Sequence, residues 1–208
     1  MTNTRRFVII CCAFFSISGS IRAAEVEPFT ITNDPRWQSY PRISGNRVVY
    51  NSNSGGSAIA YDLDVDGYNI WSENHFNVDD DYSRDWAPCV SGPNVVWAKA
   101  VGSDTHIYAR NVVTGVLTPV CTASGARGLP QISGSNVVWY DARGGKKAIY
   151  GYDLSSPGEF VVVPDNARSY AKMGLDGDML VYEDYRSGSR IDLYARNIKT
   201  GAEVLASD

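Results

Sequence analysis

Histidine is almost missing from this chain: His75 and His106 are the whole supply in 208 residues. They fall in different repeat units and have no Cys, Asp or Glu neighbour at metal-ligand spacing, which leaves out a histidine-based zinc site. Cysteine is as scarce, with four in all, of which Cys11 and Cys12 sit in an N-terminal apolar segment. Cys89 and Cys121 remain, and no pair forms a redox CxxC or a metal knuckle. No Gly-x-Ser-x-Gly elbow is present, so the serine nucleophile of an α/β-hydrolase is absent. Long apolar runs are lacking too. The longest, Phe7 to Ile17, is about half of what a membrane span needs. No helical periodicity follows it, and basic residues are outnumbered, 19 against 23 acidic.

The apolar run has a targeting context. Arg5 and Arg6 precede it and small residues follow from Ser18 to Ala24. This pattern reads as a secretory signal peptide over 1–24, cleaved near Ala23 or Ala24, with a secreted or periplasmic mature chain that has no transmembrane segment. Cleavage removes Arg5, Arg6 and Arg22 and no acidic residue, which takes the net charge from −4 to about −7. That balance argues against nucleic acid as a partner, since phosphate binding needs a concentrated positive surface.

What the chain has in abundance is one phrase, written four times: YPRISGNRVVY, APCVSGPNVVW, LPQISGSNVVW and AKMGLDGDMLVY. Its glycines, Gly45, Gly92, Gly134 and Gly177, are 47, 42 and 43 residues apart. A period in the forties with strand-like content marks a propeller blade. Each unit reads as a short apolar strand, a glycine turn, a β-rich strand, a polar loop, a third strand and a fourth after a second turn. The third strands are read at 58–63, 106–111, around Tyr150, and 192–197. In this register Tyr50, Trp97, Trp139 and Tyr182 are equivalent, as are Tyr61, Tyr108, Tyr150 and Tyr194. These rings suit packing between neighbouring sheets. Cys89 and Cys121 fall in the first and fourth strands of one unit, roughly 14 Å apart by strand spacing. That exceeds the reach of a disulfide, so two buried thiols are expected.

The expected fold is therefore all-β, a propeller of four four-stranded blades occupying 25–208, with units of about 37–83, 84–126, 127–169 and 170–208. Residues 27–34 (EPFTITND) resemble the fourth strand of the third unit and predict one extra N-terminal strand, seventeen in all. Three arrangements stay open: a closed ring, an open arc that associates with another copy through its exposed terminal blades, or one piece of a larger ring.

The repeats resemble those of the TolB-type β-propeller family. Asp141, Arg143 and Gly145 match that family's Asp-x-Arg-x-Gly element, as do Asp184, Arg186 and Gly188. Ile107-Tyr108 and Ile149-Tyr150 match its Ile-Tyr element, and Asp153-Leu154 its turn. The chain departs from the family in reading Ser-Gly at three turns, where Ser-Pro-Asp-Gly is usual, and in having four units instead of six. The resemblance implies a propeller fold and a kinship with periplasmic proteins that bind other proteins. Similar propellers occur as domains of peptidases and of sugar-cleaving lyases.

In such a fold the loops entering each first strand crowd one end of the channel. Here they carry Arg36 and Trp37, Arg84, Asp85 and Trp86, Arg127, and Arg168 and Tyr170. Arginine forks suit carboxylates, and the rings suit a sugar face or a peptide side chain, so these eight residues form the expected ligand rim. Pairing of the arginines with Asp34, Asp85 and Asp165 is the competing reading. Asp141 with Arg143, and Asp184 with Arg186, are expected as loop-shaping ion pairs. Asp79, Asp80 and Asp81 offer oxygens of the kind Ca²⁺ takes, as does the Asp62, Asp64, Asp66 alternation, but neither has EF-hand spacing. No catalytic residues and no cofactor are assigned. The expected activity is non-enzymatic binding or assembly, with a protein or an oligosaccharide as ligand. A polyuronate lyase-like enzyme, or a remnant of a larger propeller enzyme, is the alternative.

Overall fold

The computed structural model describes residues 28–53 except 36, 63–164 except 82, 126, 144 and 146, and 172–207 except 187 and 189. The signal segment expected at 1–24 lies outside them. The chain divides into two units, Met1–Thr32 and Asn33–Asp208. Of the first, only Pro28 to Thr32 are described, and they carry no strand.

The second unit holds sixteen strands and, among the described residues, no helix. They form four antiparallel meanders. The first sheet is β1 (Gln38–Ser44), β2 (Arg47–Asn53), β3 (Leu63–Asn69) and β4 (Asn74–Asp79). The second is β5 (Asp85–Ser91), β6 (Asn94–Val101), β7 (Asp104–Asn111) and β8 (Leu117–Cys121). The third is β9 (Arg127–Ser133), β10 (Asn136–Asp141), β11 (Ala148–Asp153) and β12 (Glu159–Val163). The fourth is β13 (Met173–Asp176), β14 (Met179–Asp184), β15 (Asp192–Asn197) and β16 (Glu203–Leu205).

The repeated glycine makes the first hairpin of each sheet. Gly45, Gly92, Gly134 and Gly177 all have φ between +55° and +61°, the left-handed conformation that a two-residue hairpin turn requires. A second recurrence was hidden in the sequence. Tyr40, Ala87 and Leu129 also take positive φ, +51° to +53°, and each precedes a proline. The pairing register slips at the same place in all three sheets. Proline cannot donate to the ladder, and a bulge accommodates it. The slip sets the strand's first residue opposite the end of the second strand: Gln38 faces Ser52, Asp85 faces Lys99 and Arg127 faces Asp141.

Three apolar cores lie between successive sheets. Val49, Val65 and Val78 pack on Val90, Val95 and Trp97. Val96, Ala98 and Ile107 pack on Ile132, Val137 and Trp139. Val138, Tyr140 and Ile149 pack on Leu180 and Tyr182. Rings stack across the second and third strands at Trp97–Tyr108, Trp139–Tyr150 and Tyr182–Tyr194, with centroids 6.0–6.2 Å apart. Cys89 and Cys121 are free and buried.

Two expectations are corrected. Residues 28–34 form no strand. Pro28 and Pro35 flank that stretch without N–H donors, and β16 already holds the fourth place in the last sheet. The third strand of the first sheet is Leu63–Asn69 and not 58–63, and Tyr61 lies outside the described residues. Asp66 stands opposite Tyr50, where the other sheets place a tyrosine. Asp64 and Asp66 thus lie in a strand, and Asp62 lies outside the described residues. Asp66 accepts a 2.5 Å hydrogen bond from Ser52 Oγ. His75 lies in β4.

Candidate functional site

The start of each first strand, the end of the second, the start of the third and the end of the fourth meet at one end of each sheet. There the second, third and fourth sheets each hold a charge network, and the three differ in their balance.

In the third sheet Asp141 is the hub. It accepts from Arg127 Nε at 2.9 Å, Trp139 Nε1 at 3.1 Å, and the Arg143 amide, Nε and Nη2 at 2.8, 2.9 and 2.5 Å. Arg143 continues to Glu159 at 2.6 and 2.8 Å and lies 4.2 Å over the Tyr150 ring. Burial pushes the Asp141 carboxyl up, but the bonds from Arg143 and Trp139 outweigh it and hold it below its ordinary value. The fourth sheet repeats the plan. Arg186 Nε binds Asp184 at 2.6 Å, Nη1 binds Glu203 at 2.6 Å, and the guanidinium lies 3.9 Å over Tyr194. The third network matches two arginines with two carboxylates; in the fourth, Glu203 also takes Arg196 at 3.1 Å from the far end of the third strand, and Asp192 stands opposite Asp184.

The second sheet reverses the signs and loses the balance. Lys99 stands where Asp141 stands in the third sheet, and Asp85 where Arg127 stands. Carboxylate oxygens of Asp79, Asp81 and Asp85 lie within 4.8 Å of one another. The cation among them is the Lys99 ammonium, 2.7 Å from Asp79, 2.5 Å from Asp81 and 3.8 Å from Asp85. Three acids share one base. Asp85 Oδ1 accepts from Ser83 Oγ at 3.1 Å, while its buried Oδ2 has no hydrogen bond. Burial first, then the charge of Asp79, raises the Asp85 carboxyl to about 8. Asp81 is lowered: its desolvation is outweighed by bonds from Lys99 and Ser83.

The eight rim residues therefore separate. Arg36, Arg168 and Tyr170 lie outside the described residues. Arg127 is not a ligand group: its side chain is wholly buried and it also donates to the carbonyls of Thr105, Gly125 and Ser124 at 2.9–3.0 Å. Asp85 is likewise sealed. Trp86 is half-buried against the core between the second and third sheets. Trp37 is 80% exposed, and Arg84 is exposed with its guanidinium 5.5 Å over Trp86. Of the described rim residues, Trp37 and Arg84 are open to solvent, and beside them Asp80 and Asp81 are exposed. His106 is in β7 and His75 in β4, in different sheets.

No family model matches the chain, and no curated protein matches it. Solved structures do. TolB from Acinetobacter baumannii is 16% identical with a TM-score of 0.64, over 87% of this chain and 46% of that one. A putative TolB from Agrobacterium tumefaciens is 13% identical with a TM-score of 0.59, over 77% and 61%. The β-propeller domain of the Trilobed protease from Pyrococcus furiosus, described as having an open velcro topology, is 15% identical with a TM-score of 0.61, over 83% and 57%. The chain spans about half the length of the structures it resembles. No helix among the described residues is long and apolar enough to cross a membrane. The likeness covers four stacked antiparallel sheets, and the chain is a β-propeller module of four blades.

Proposed function

We propose that this propeller is an exported binding module that receives a protein segment on the entry-loop end of its first two sheets. The observation that carries this reading is the unequal charge count there: Asp79, Asp80 and Asp81 against Lys99 and Arg84, above an Asp85 that holds its proton, with Trp37 open to solvent at the same end. A surplus of carboxylate attracts a basic side chain, and an exposed indole supplies a rigid apolar contact. The same surplus opposes a polyuronate, whose carboxylates would meet like charge. The arginines of the described rim that would have seated such a substrate are reduced to Arg84. The N-terminal segment with its charged, apolar and small-residue regions supports export.

Arrayed peptides and arrayed oligosaccharides, neutral and uronate, test the reading side by side. Peptides carrying Lys or Arg beside an aromatic residue should bind, and Trp37→Ala or Asp81→Asn should weaken them about tenfold, the size of a ~1.4 kcal/mol loss. Uronate binding that survives Asp81→Asn, with no peptide signal, would sink it.

A further inference from the structure

The repeat makes one face of the last sheet conspicuous. In the first three sheets, one row of residues faces the following sheet: Val49 and Val65, Val96 and Ile107, Val138 and Ile149. All six are fully buried by it. The strand pairings place Val181, Leu193, Ala195 and Val204 in the same row of the fourth sheet. There Val181 is 42% exposed, Leu193 39% and Val204 62%. None of the three apolar cores extends beyond it.

A second, polar device repeats with the same period. Ser44 Oγ accepts the Gly92 amide at 3.0 Å, Ser91 Oγ the Gly134 amide at 2.8 Å, and Ser133 Oγ the Gly177 amide at 2.8 Å. Each hairpin turn is thereby latched to the turn of the next sheet. The ladder has two loose ends. Asp176 takes the serine's place in the fourth sheet and is exposed, and among the described residues it meets no turn glycine. Gly45 is exposed in the first sheet, and among the described residues no serine accepts its amide. Beside Gly45, Ile43 is 63% exposed, although its counterparts Val90 and Ile132 are 6% and 5% exposed against a preceding sheet.

The two ends are complementary, and one chain carries both. We propose that the fourth sheet docks head to tail on the first sheet of a second copy, continuing the interface already made three times within the chain. Val181 and Val204 meet Ile43 at the turn end of that sheet; Val48, which pairs directly with Ile43, and Tyr50 are already buried. Asp176 accepts the Gly45 amide of the second copy, with a carboxylate in place of the serine hydroxyl. Two reciprocal contacts of this kind join two chains into eight sheets, the upper end of the usual propeller range. A head-to-tail contact that closes in a pair avoids running on into a filament. The inference is independent of the rim reading, since no rim residue takes part.

Sedimentation equilibrium over a concentration series tests it. The protein should weigh twice the mass of its own single chain, and Ile43→Asp and Val181→Asp should each raise the dissociation constant at least tenfold. Both positions face solvent within the chain, and an unchanged near-ultraviolet spectrum of each variant verifies its fold. Mixed in equal amounts, the two variants should recover a pair through the one contact that neither substitution touches. A wild-type monomer at every concentration overturns the proposal. So does an Ile43→Asp protein that pairs normally while Val181→Asp does not, which would mean that fourth sheets meet face to face. Loss of peptide binding with mass unchanged, in Trp37→Ala, bears on the rim alone.

Discussion

Arg84 and Arg127 are the same residue type at nearby places in consecutive entry loops, yet their surroundings give them unrelated roles. Arg127 and Asp141 are a pair with both side chains wholly buried, so removing the cation leaves a carboxylate under a diminished set of donors. Arg127→Met should cost about 3 kcal/mol in urea unfolding, and Arg84→Met less than about 0.5 kcal/mol. Equal effects would show that Arg127 is not a structural pillar. Asp85 adds a pH dependence of definite sign. Below its ordinary value of 3.8 it is protonated in both the folded and the unfolded chain. Between 3.8 and about 8 the unfolded chain has released the proton and the fold retains it. Stability therefore falls as pH rises through that window, by at most about 1.4 kcal/mol per pH unit, and the slope ends above it. The contribution of neutral Asp85 is full below 3.8 and gone once the pH passes about 8. Asp85→Asn is neutral throughout, so its melting temperature relative to wild type should climb from pH 4 to pH 8. A constant difference would mean that Asp85 is ionised in the fold at neutral pH.

At the scale of the strand, the hairpin phrase was legible because a two-residue turn demands a left-handed residue, and Ser-Gly with flanking β-branched residues can hardly be anything else. The third strand of the first sheet was not legible. LDVDGYN puts aspartates where the other sheets have Ile-Tyr, while AIAYDL just before it imitates that element. Only pairing decides: Leu63–Asn69 sets Val65 and Gly67 on the buried face beside Val49. The positive-φ bulges before Pro41, Pro88 and Pro130 carry no glycine, so composition hid them. The rim was misjudged for the same kind of reason. Arg127 and Asp85 occupy one position with opposite charges, and whether such a residue turns inward depends on its cross-strand partner, Asp141 or Lys99, which spacing along the chain does not reveal. Glycines inside strands are a further case. A Cβ on Gly151 would lie 2.6 Å from the Phe160 ring, and one on Gly67 2.2 Å from Phe76. In the second sheet the same cross-strand pair is Ala109 with Thr118, the volume traded between partners. Gly151→Ala should therefore destabilise by about 1–3 kcal/mol, and Gly151→Ala with Phe160→Thr should recover part of it in a double-mutant cycle. Additive losses would mean that the ring moves aside freely.

For the whole molecule, stability is shared between neighbours and is unequal along the row. The second and third sheets are covered on both faces, since Val95 and Trp97 look back while Val96 and Ala98 look forward, and Val137 and Trp139 stand against Val138 and Tyr140 in the same way. Among the described residues the fourth sheet is covered by the third alone, and its outer row of Val181, Leu193 and Val204 meets solvent. In an array whose units gain stability chiefly from adjacent units, the one-sided member opens first. Amides of β14 and β15 should exchange hydrogen faster than the matching amides of β6 and β10, although the ladders are alike. Their protection should also rise with protein concentration, because docking of a second copy covers the exposed row, while that of β6 and β10 should not. Sheet-wide protection of β14 and β15 equal to that of β10, at concentrations where sedimentation finds a single chain, would place the cover for that face within the chain itself and remove the reason for head-to-tail pairing.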